Sequence, residues 1–147
     1  MTMNPVKLAI IGAGDRGNVY AAYTQHHPDK ARVVAVAEPN EFRRRSLAEE
    51  YDIPETHLFS DWEELTKKER LADAAIISTP DAMHERPAIA LAEQGYHLLL
   101  EKPMAQDRLG CRRIVDAVLK NDVLFSVGHV LRYTGYTQTI KQIVDSG

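Results

Sequence analysis

Lys102 stands between Glu101 and Pro103, directly after the apolar run His97 to Leu100. An ammonium group delivered at the end of a buried strand is not a core feature; it is either an exposed loop charge or a functional cation. A second candidate is the stretch VKLAIIGAGDRG, Val6 to Gly17, where Gly12, Gly14 and Gly17 fall at G-x-G-x-x-G spacing. In a strand–loop–helix unit, Gly12 allows the tight turn, Gly14 admits a pyrophosphate to the backbone, and Gly17 lets helix pack on strand. Phosphates would then rest on the free N–H groups and positive dipole end of the helix. Alone, such a loop also serves as a plain turn. Glu38 follows the last glycine by about twenty residues, the spacing of the acid that takes adenosine ribose hydroxyls in a dinucleotide fold. A carboxylate there repels a 2′-phosphate, which favours NAD over NADP, while Arg43 one turn on keeps NADP open. His84, ahead of Pro87, is either a contact at a helix mouth or an exposed cap residue.

Other chemically able residues read as structural. His26 and His27 are adjacent, so their rings diverge, and no third ligand lies nearby in sequence; no metal site is expected. Cys111 has no histidine placed to activate it. Trp62 suits packing in a short helix, and Arg43 to Arg45 suit a solvated helix face with Glu41, Glu49 and Glu50 nearby.

These residues need elements to position them. Apolar, β-branched runs predict strands at Val6–Ile11, Arg32–Ala37, His57–Phe59, Asp73–Ser78, His97–Leu100 and Val123–Val127. Between them, 3.6-residue patterns and caps predict helices at Asn18–Gln25, Glu41–Tyr51 behind an Asn40 cap, and a brief turn opened by a Ser60/Glu63 capping box. Pro87 is tolerated only in a first turn, so the next helix starts near His84, runs to Gln94 and stops at Gly95. Two more follow, from Gln106 or Asp107 to Lys120 and from Tyr136 to Asp145. Alternating strands and helices imply an α/β fold, a doubly wound parallel sheet of the Rossmann kind. In the order 3-2-1-4-5-6 its ligand crevice lies beyond strands one and four. The glycine loop, Glu38, Thr79 to His84, Glu101-Lys102 and Arg132 all fall at that edge, where chance would scatter them over both ends.

Composition agrees with one soluble domain: 147 residues, 44% hydrophobic and 27% charged. A net charge of -3 and the lack of a basic stripe give no bias toward nucleic acid. A single cysteine excludes an internal disulfide. No apolar run approaches membrane-spanning length and no leader pattern opens the chain, so a cytoplasmic location is expected.

Together, VKLAIIGAGDRGNVYA, Glu38, STPDAMHERPAIAL, LLLEKPMA and VGHVLRYTGYTQTIKQIVDSG resemble the Gfo/Idh/MocA oxidoreductase family over nearly the whole chain. The pairing of EKP with the TPxxxH segment is more specific than the glycines. The resemblance implies a pyrophosphate loop at Gly12, Gly14, Asp15, Arg16 and Gly17, and a ribose carboxylate at Glu38. It implies that Thr79, Pro80 and His84 line the nicotinamide side, that Arg132 lies near the cofactor, and that Glu101, Lys102 and Pro103 form a cofactor-binding EKP motif whose lysine approaches nicotinamide ribose and substrate. The Lys102–Pro103 bond is often cis in such proteins. Asp15, a carboxylate in a phosphate loop, is expected to point away or to be offset by Arg16. The family's larger α/β substrate domain has no counterpart here, so the chain divides into a nucleotide domain, 1–132, and a connecting helix, 133–147. Expected are NAD as cofactor, with NADP possible; hydride transfer to or from a sugar or polyol hydroxyl, with Lys102 as the catalytic residue; and homo-oligomers formed through the absent domain. Two alternatives stand beside this: a member that oxidises its sugar only transiently to permit elimination, and a non-catalytic nucleotide-binding module.

Overall fold

The computed structural model describes residues 4–147; residues 1–3, with which the expected nucleotide domain begins, lie outside the described residues. Six strands, β1 (Val6–Ile11), β2 (Ala31–Ala37), β3 (Leu58–Phe59), β4 (Ala74–Ile77), β5 (His97–Leu100) and β6 (Phe125–Val127), pair in parallel in the order β3-β2-β1-β4-β5-β6. Their near-continuous apolar sequences suit strands covered on both faces.

Because successive side chains point to opposite faces, β1 to β5 each feed two cores. Ala9, Ile11, Ala75, Ile77, Leu98 and Leu100 enter one, with Leu65, Leu91 and Ile114 from helices α3 (Trp62–Thr66), α4 (Glu85–Glu93) and α5 (Arg108–Lys120). Ile10, Val36 and Ile76 enter the other, with Ala21, Leu47 and Ala48 from α1 (Asp15–His26) and α2 (Glu41–Glu50). In β2 the pairing steps from Val33 opposite Leu8 to Ala35 opposite Ala9. The extra residue, Val34, lets Val33 and Val36 face the same core. The β1–β2 crossover, α1, therefore covers one face and the β4–β5 crossover, α4, the other. This divergence opens the crevice at the strand ends.

Capping chemistry sets the helix ends. Asn40 Oδ1 accepts from Arg43 N at 3.0 Å, and Asp107 Oδ1 accepts from Gly110 N at 2.7 Å. The expected Ser60/Glu63 box moves on by one residue. Asp61 Oδ1 accepts from Glu64 N at 2.8 Å and Glu64 Oε2 accepts from Ser60 N at 2.9 Å, because Asp61, with extended backbone, is the residue that precedes the first helical turn. The largest departure is α1, which starts at Asp15 rather than Asn18. Gly17 thus belongs to its first turn, where a Cβ would lie 2.1 Å from Gly12 O. A final helix, α6 (Gly135–Asp145), follows a short 3-10 turn at Val130–Tyr133 and leaves Ile140, Ile143 and Val144 exposed. No helix among the described residues is long and apolar enough to cross a membrane.

Candidate nucleotide site

The glycine loop is pinned on both sides. Gly12, at φ +93°, donates its N–H to Ala37 O at 2.8 Å, and Ser78 donates its N–H to Ile11 O at 2.8 Å and its hydroxyl to Gly12 O at 2.8 Å. A Cβ on Gly12 would fall 2.8 Å from Ser78 O, and its positive φ disfavours any other residue. Gly14 differs: a Cβ there would meet nothing within 4 Å. That open side faces a cleft of about 620 Å³ bounded by the loop, Glu38, Arg43, Trp62, Pro80 and Arg86. Asn18 donates its amide to the carbonyls of Ala13 and Gly14 at 3.2 and 3.0 Å. The loop's carbonyls are thereby engaged and the N-terminus of α1 is left to the cleft. An open step at Gly14, backed by the first turn of a twelve-residue helix, fits a pyrophosphate.

Glu38 is 6% exposed and ties the loop to α2. Its Oε2 accepts from Ala13 N at 2.7 Å and its Oε1 from Asn40 N at 2.9 Å. Each carboxylate oxygen can accept more than one hydrogen bond, so Glu38, on the cleft wall, keeps capacity for a diol.

Across the crevice, Glu101 is also 6% exposed. Its Oε1 accepts from Arg16 Nε at 2.7 Å and from the Tyr20 hydroxyl at 2.7 Å, and its Oε2 from Lys102 N at 2.9 Å. Burial pushes the Glu101 carboxyl up, but the Tyr20, Arg16 and Lys102 hydrogen bonds outweigh it and hold it below the ordinary value. Burial and the Glu101 contact raise Tyr20. Of the two expectations for Asp15, an offset by Arg16 is not met, since Arg16 joins α1 to the end of β5. Asp15 is instead exposed in the first turn of α1, where the helix dipole favours a carboxylate. Gly128 makes room for the knot, since a Cβ there would sit 2.7 Å from the Tyr20 hydroxyl.

His84 is neither an exposed cap nor open to a ligand. It is completely buried, with Nδ1 2.6 Å from Pro103 O and Nε2 2.9 Å from Thr79 O. Any effect on the cleft passes through the two loops it joins, one of which carries the cis Lys102–Pro103 bond. Lys102 itself is exposed, and among the described residues its ammonium forms no ion pair. It borders a second cleft, about 390 Å³, with Arg16, Ser78, Thr79, Glu101 and Leu131. Arg132 is exposed on the 3-10 turn and shares a smaller recess of about 210 Å³ with Lys102, away from the glycine loop.

Tyr20, Asn18 and Ser78 were not singled out from sequence. Tyr20 lies four residues after Arg16 and so on the same helix face, a signal hidden while α1 was expected to begin at Asn18.

A family model described as an oxidoreductase family with an NAD-binding Rossmann fold matches residues 6–129. An inositol 2-dehydrogenase of Agrobacterium fabrum is 32% identical over 143 residues, covering 96% of this chain and 42% of that protein. A 2,7-anhydro-N-acetylneuraminate hydratase of Mediterraneibacter gnavus is 30% identical over 99% of this chain and 37% of its own length. Among solved structures, the WlbA dehydrogenase of Bordetella pertussis, in complex with NADH and UDP-GlcNAcA, superposes with a TM-score of 0.86 at 24% identity. It covers 97% of this chain and 42% of that one. A scyllo-inositol dehydrogenase of Lactobacillus casei with bound NAD(H) and scyllo-inositol gives 0.83 at 20% identity, over 97% and 42%. The chain thus spans about two fifths of the length of these relatives. With residues 6–129 matched by that model, the chain belongs to the Gfo/Idh/MocA oxidoreductase family as its NAD-binding Rossmann domain.

Proposed function

We propose that this chain is the cofactor half of a dehydrogenase acting on a sugar or polyol hydroxyl. In this division residues up to about Arg132 hold the nucleotide and α6 leads toward a substrate half. Self-association would run through that second half. The observation that carries the proposal is the continuity of the two clefts. Arg16, Ser78 and Thr79 line both, so one track runs from Glu38 past the glycine loop to the unpaired ammonium of Lys102.

When bound, the nicotinamide accepts or returns a hydride. Everything else falls to the chain. The N–H groups from Gly14 through the first turn of α1 hold the phosphates, Glu38 takes the ribose hydroxyls, and the Arg16–Glu101–Tyr20 knot sets the backbone that presents Lys102. A cation at that position holds a hydroxyl oxygen and stabilises the negative charge that develops as its proton departs. Of the other residues expected to contact cofactor, Thr79, Pro80 and Arg132 border the track or its recess, whereas His84 acts from behind the wall.

Calorimetric titration with NAD and NADP, together with an assay for NADH formation from inositol and aldoses, tests this. The expected result is binding with NAD preferred and no measurable turnover, because the chain spans about two fifths of its relatives' length and the proton acceptor is assigned to the substrate half. Clear NADP preference overturns the role of Glu38, and turnover by these 147 residues overturns the division into halves. The relative named as a hydratase supports a second reading, in which the sugar is oxidised transiently and reduced again. A longer chain that consumes substrate without accumulating NADH would select it.

A further inference from the structure

We infer that His84 is a positioning residue for Lys102, and that its hold on the second cleft requires a proton on both ring nitrogens. The inference rests on the functional reading above and extends it to a buried group that this reading leaves behind the wall. His84 is fully closed to solvent, and each ring nitrogen faces a main-chain carbonyl: Nδ1 lies 2.6 Å from Pro103 O and Nε2 2.9 Å from Thr79 O. A carbonyl oxygen can only accept a hydrogen bond, and a neutral imidazole has one N–H to give. A neutral ring therefore satisfies one carbonyl and turns a lone pair toward the other. Only the imidazolium donates to both. The 2.6 Å separation is short for N–H···O, as charge-assisted bonds are. The two carbonyls belong to two segments that shape the second cleft. Thr79 lines it after β4, and Pro103 directly follows Lys102, which lines it after β5. The doubly protonated ring ties these segments together, and loss of either proton frees one of them. Charged groups on the surrounding segments are committed elsewhere. Glu85, next on α4, pairs with Arg113 of α5 at 2.5 Å, Asp107 caps α5, and Glu101 is held by Arg16 and Tyr20. Asp81 and Lys102 are exposed, and among the described residues the ring's hydrogen-bond partners are the two carbonyls. What pH changes at this joint is the ring itself.

Nitrogen NMR of the imidazole rings in the wild-type chain, with NAD calorimetry on the same samples, tests this as pH is raised from about 5 until His84 loses a ring proton. Expected at the acid end are N–H signals from both His84 nitrogens. NAD affinity should fall by about three- to tenfold as one of them disappears, the worth of one hydrogen bond. His84→Gln keeps a single donor that does not titrate. It should bind NAD more weakly than wild type by the same factor at the acid end, and equally well once the wild-type ring is neutral. A merely structural role would weaken the variant to the same degree at every pH, and that result overturns the inference. So does a single ring N–H at the acid end, or a wild-type affinity indifferent to the second proton; both are read without the variant if it does not fold. Failure of the wild-type chain to bind NAD at any pH overturns the cofactor reading instead, and the ring spectrum still decides the state of His84.

Discussion

Glu101 is the residue through which the two halves of the crevice are connected. Its carboxylate takes a charge-assisted bond from Arg16, a phenol hydrogen bond from Tyr20 and a backbone N–H from Lys102, in a setting that is largely closed to water. Its folded value lies below the ordinary 4.5, so the stabilisation from keeping it ionised is fully present above that pH and is lost as pH falls through the folded value. Tyr20→Phe removes one donor at constant ring packing. At neutral pH the variant should be about 1 kcal/mol less stable, and the difference should shrink once Glu101 is protonated. Urea midpoints for both proteins at neutral pH and well below the carboxylate range check this; a gap independent of pH would mean that the phenol's contribution does not depend on the ionised Glu101 carboxylate. His84 teaches a second lesson at this scale. Its place beside the crevice was legible, but its burial was not, because whether a ring at a helix mouth faces ligand or backbone depends on which loop packs over it.

At the scale of elements, β1 and α1 show how much turns on three residues. The glycines were legible as a phosphate loop, yet their individual duties separate only in three dimensions. Gly17 is closed by the backbone of Gly12 at 2.1 Å, whereas Gly14 faces open space. Gly17→Ala should therefore cost several kcal/mol, on the order of the larger point-mutant effects, or prevent folding. Gly14→Ala should lose no more than about 1 kcal/mol, because alanine is a poor N-cap, while weakening NAD. Thermal unfolding with NAD calorimetry discriminates the two; equal stability losses would contradict the assignment. Elsewhere, strands and helices fell where apolar period and caps put them, with ends shifting by one to three residues. The shifts follow from hydrogen bonds that sequence leaves degenerate, as when Asp61 rather than Ser60 caps α3.

For the whole molecule, the question is what covers its exposed apolar surface. Ile140, Ile143 and Val144 on α6 are 52%, 65% and 72% exposed, and Tyr133 and Tyr136 lie next to them at 80% and 62%. A contiguous apolar patch of this kind promotes association. Sedimentation should show concentration-dependent self-association that Ile140→Gln and Ile143→Lys together reduce, with little change in unfolding midpoint, since neither side chain is buried; association unchanged by the pair would place the sticky surface elsewhere. The sequence by itself determined the α/β class, the strand order, the glycine loop, Glu38 and the strand-end lysine. The class, the loop and the two charged residues follow from local periodicity or from spacing along the chain, and the strand order follows from the topology that alternating strands and helices adopt in a Rossmann sheet. Tertiary structure alone decided that Arg16 pairs with Glu101 rather than offsetting Asp15, that Tyr20 joins them, and that His84 is a buried strut. Those contacts join residues 85, 81 and 19 positions apart for Arg16–Glu101, Tyr20–Glu101 and His84–Pro103. Their geometry comes from how the crossovers pack at the switch between β1 and β4, which no pattern along the chain encodes.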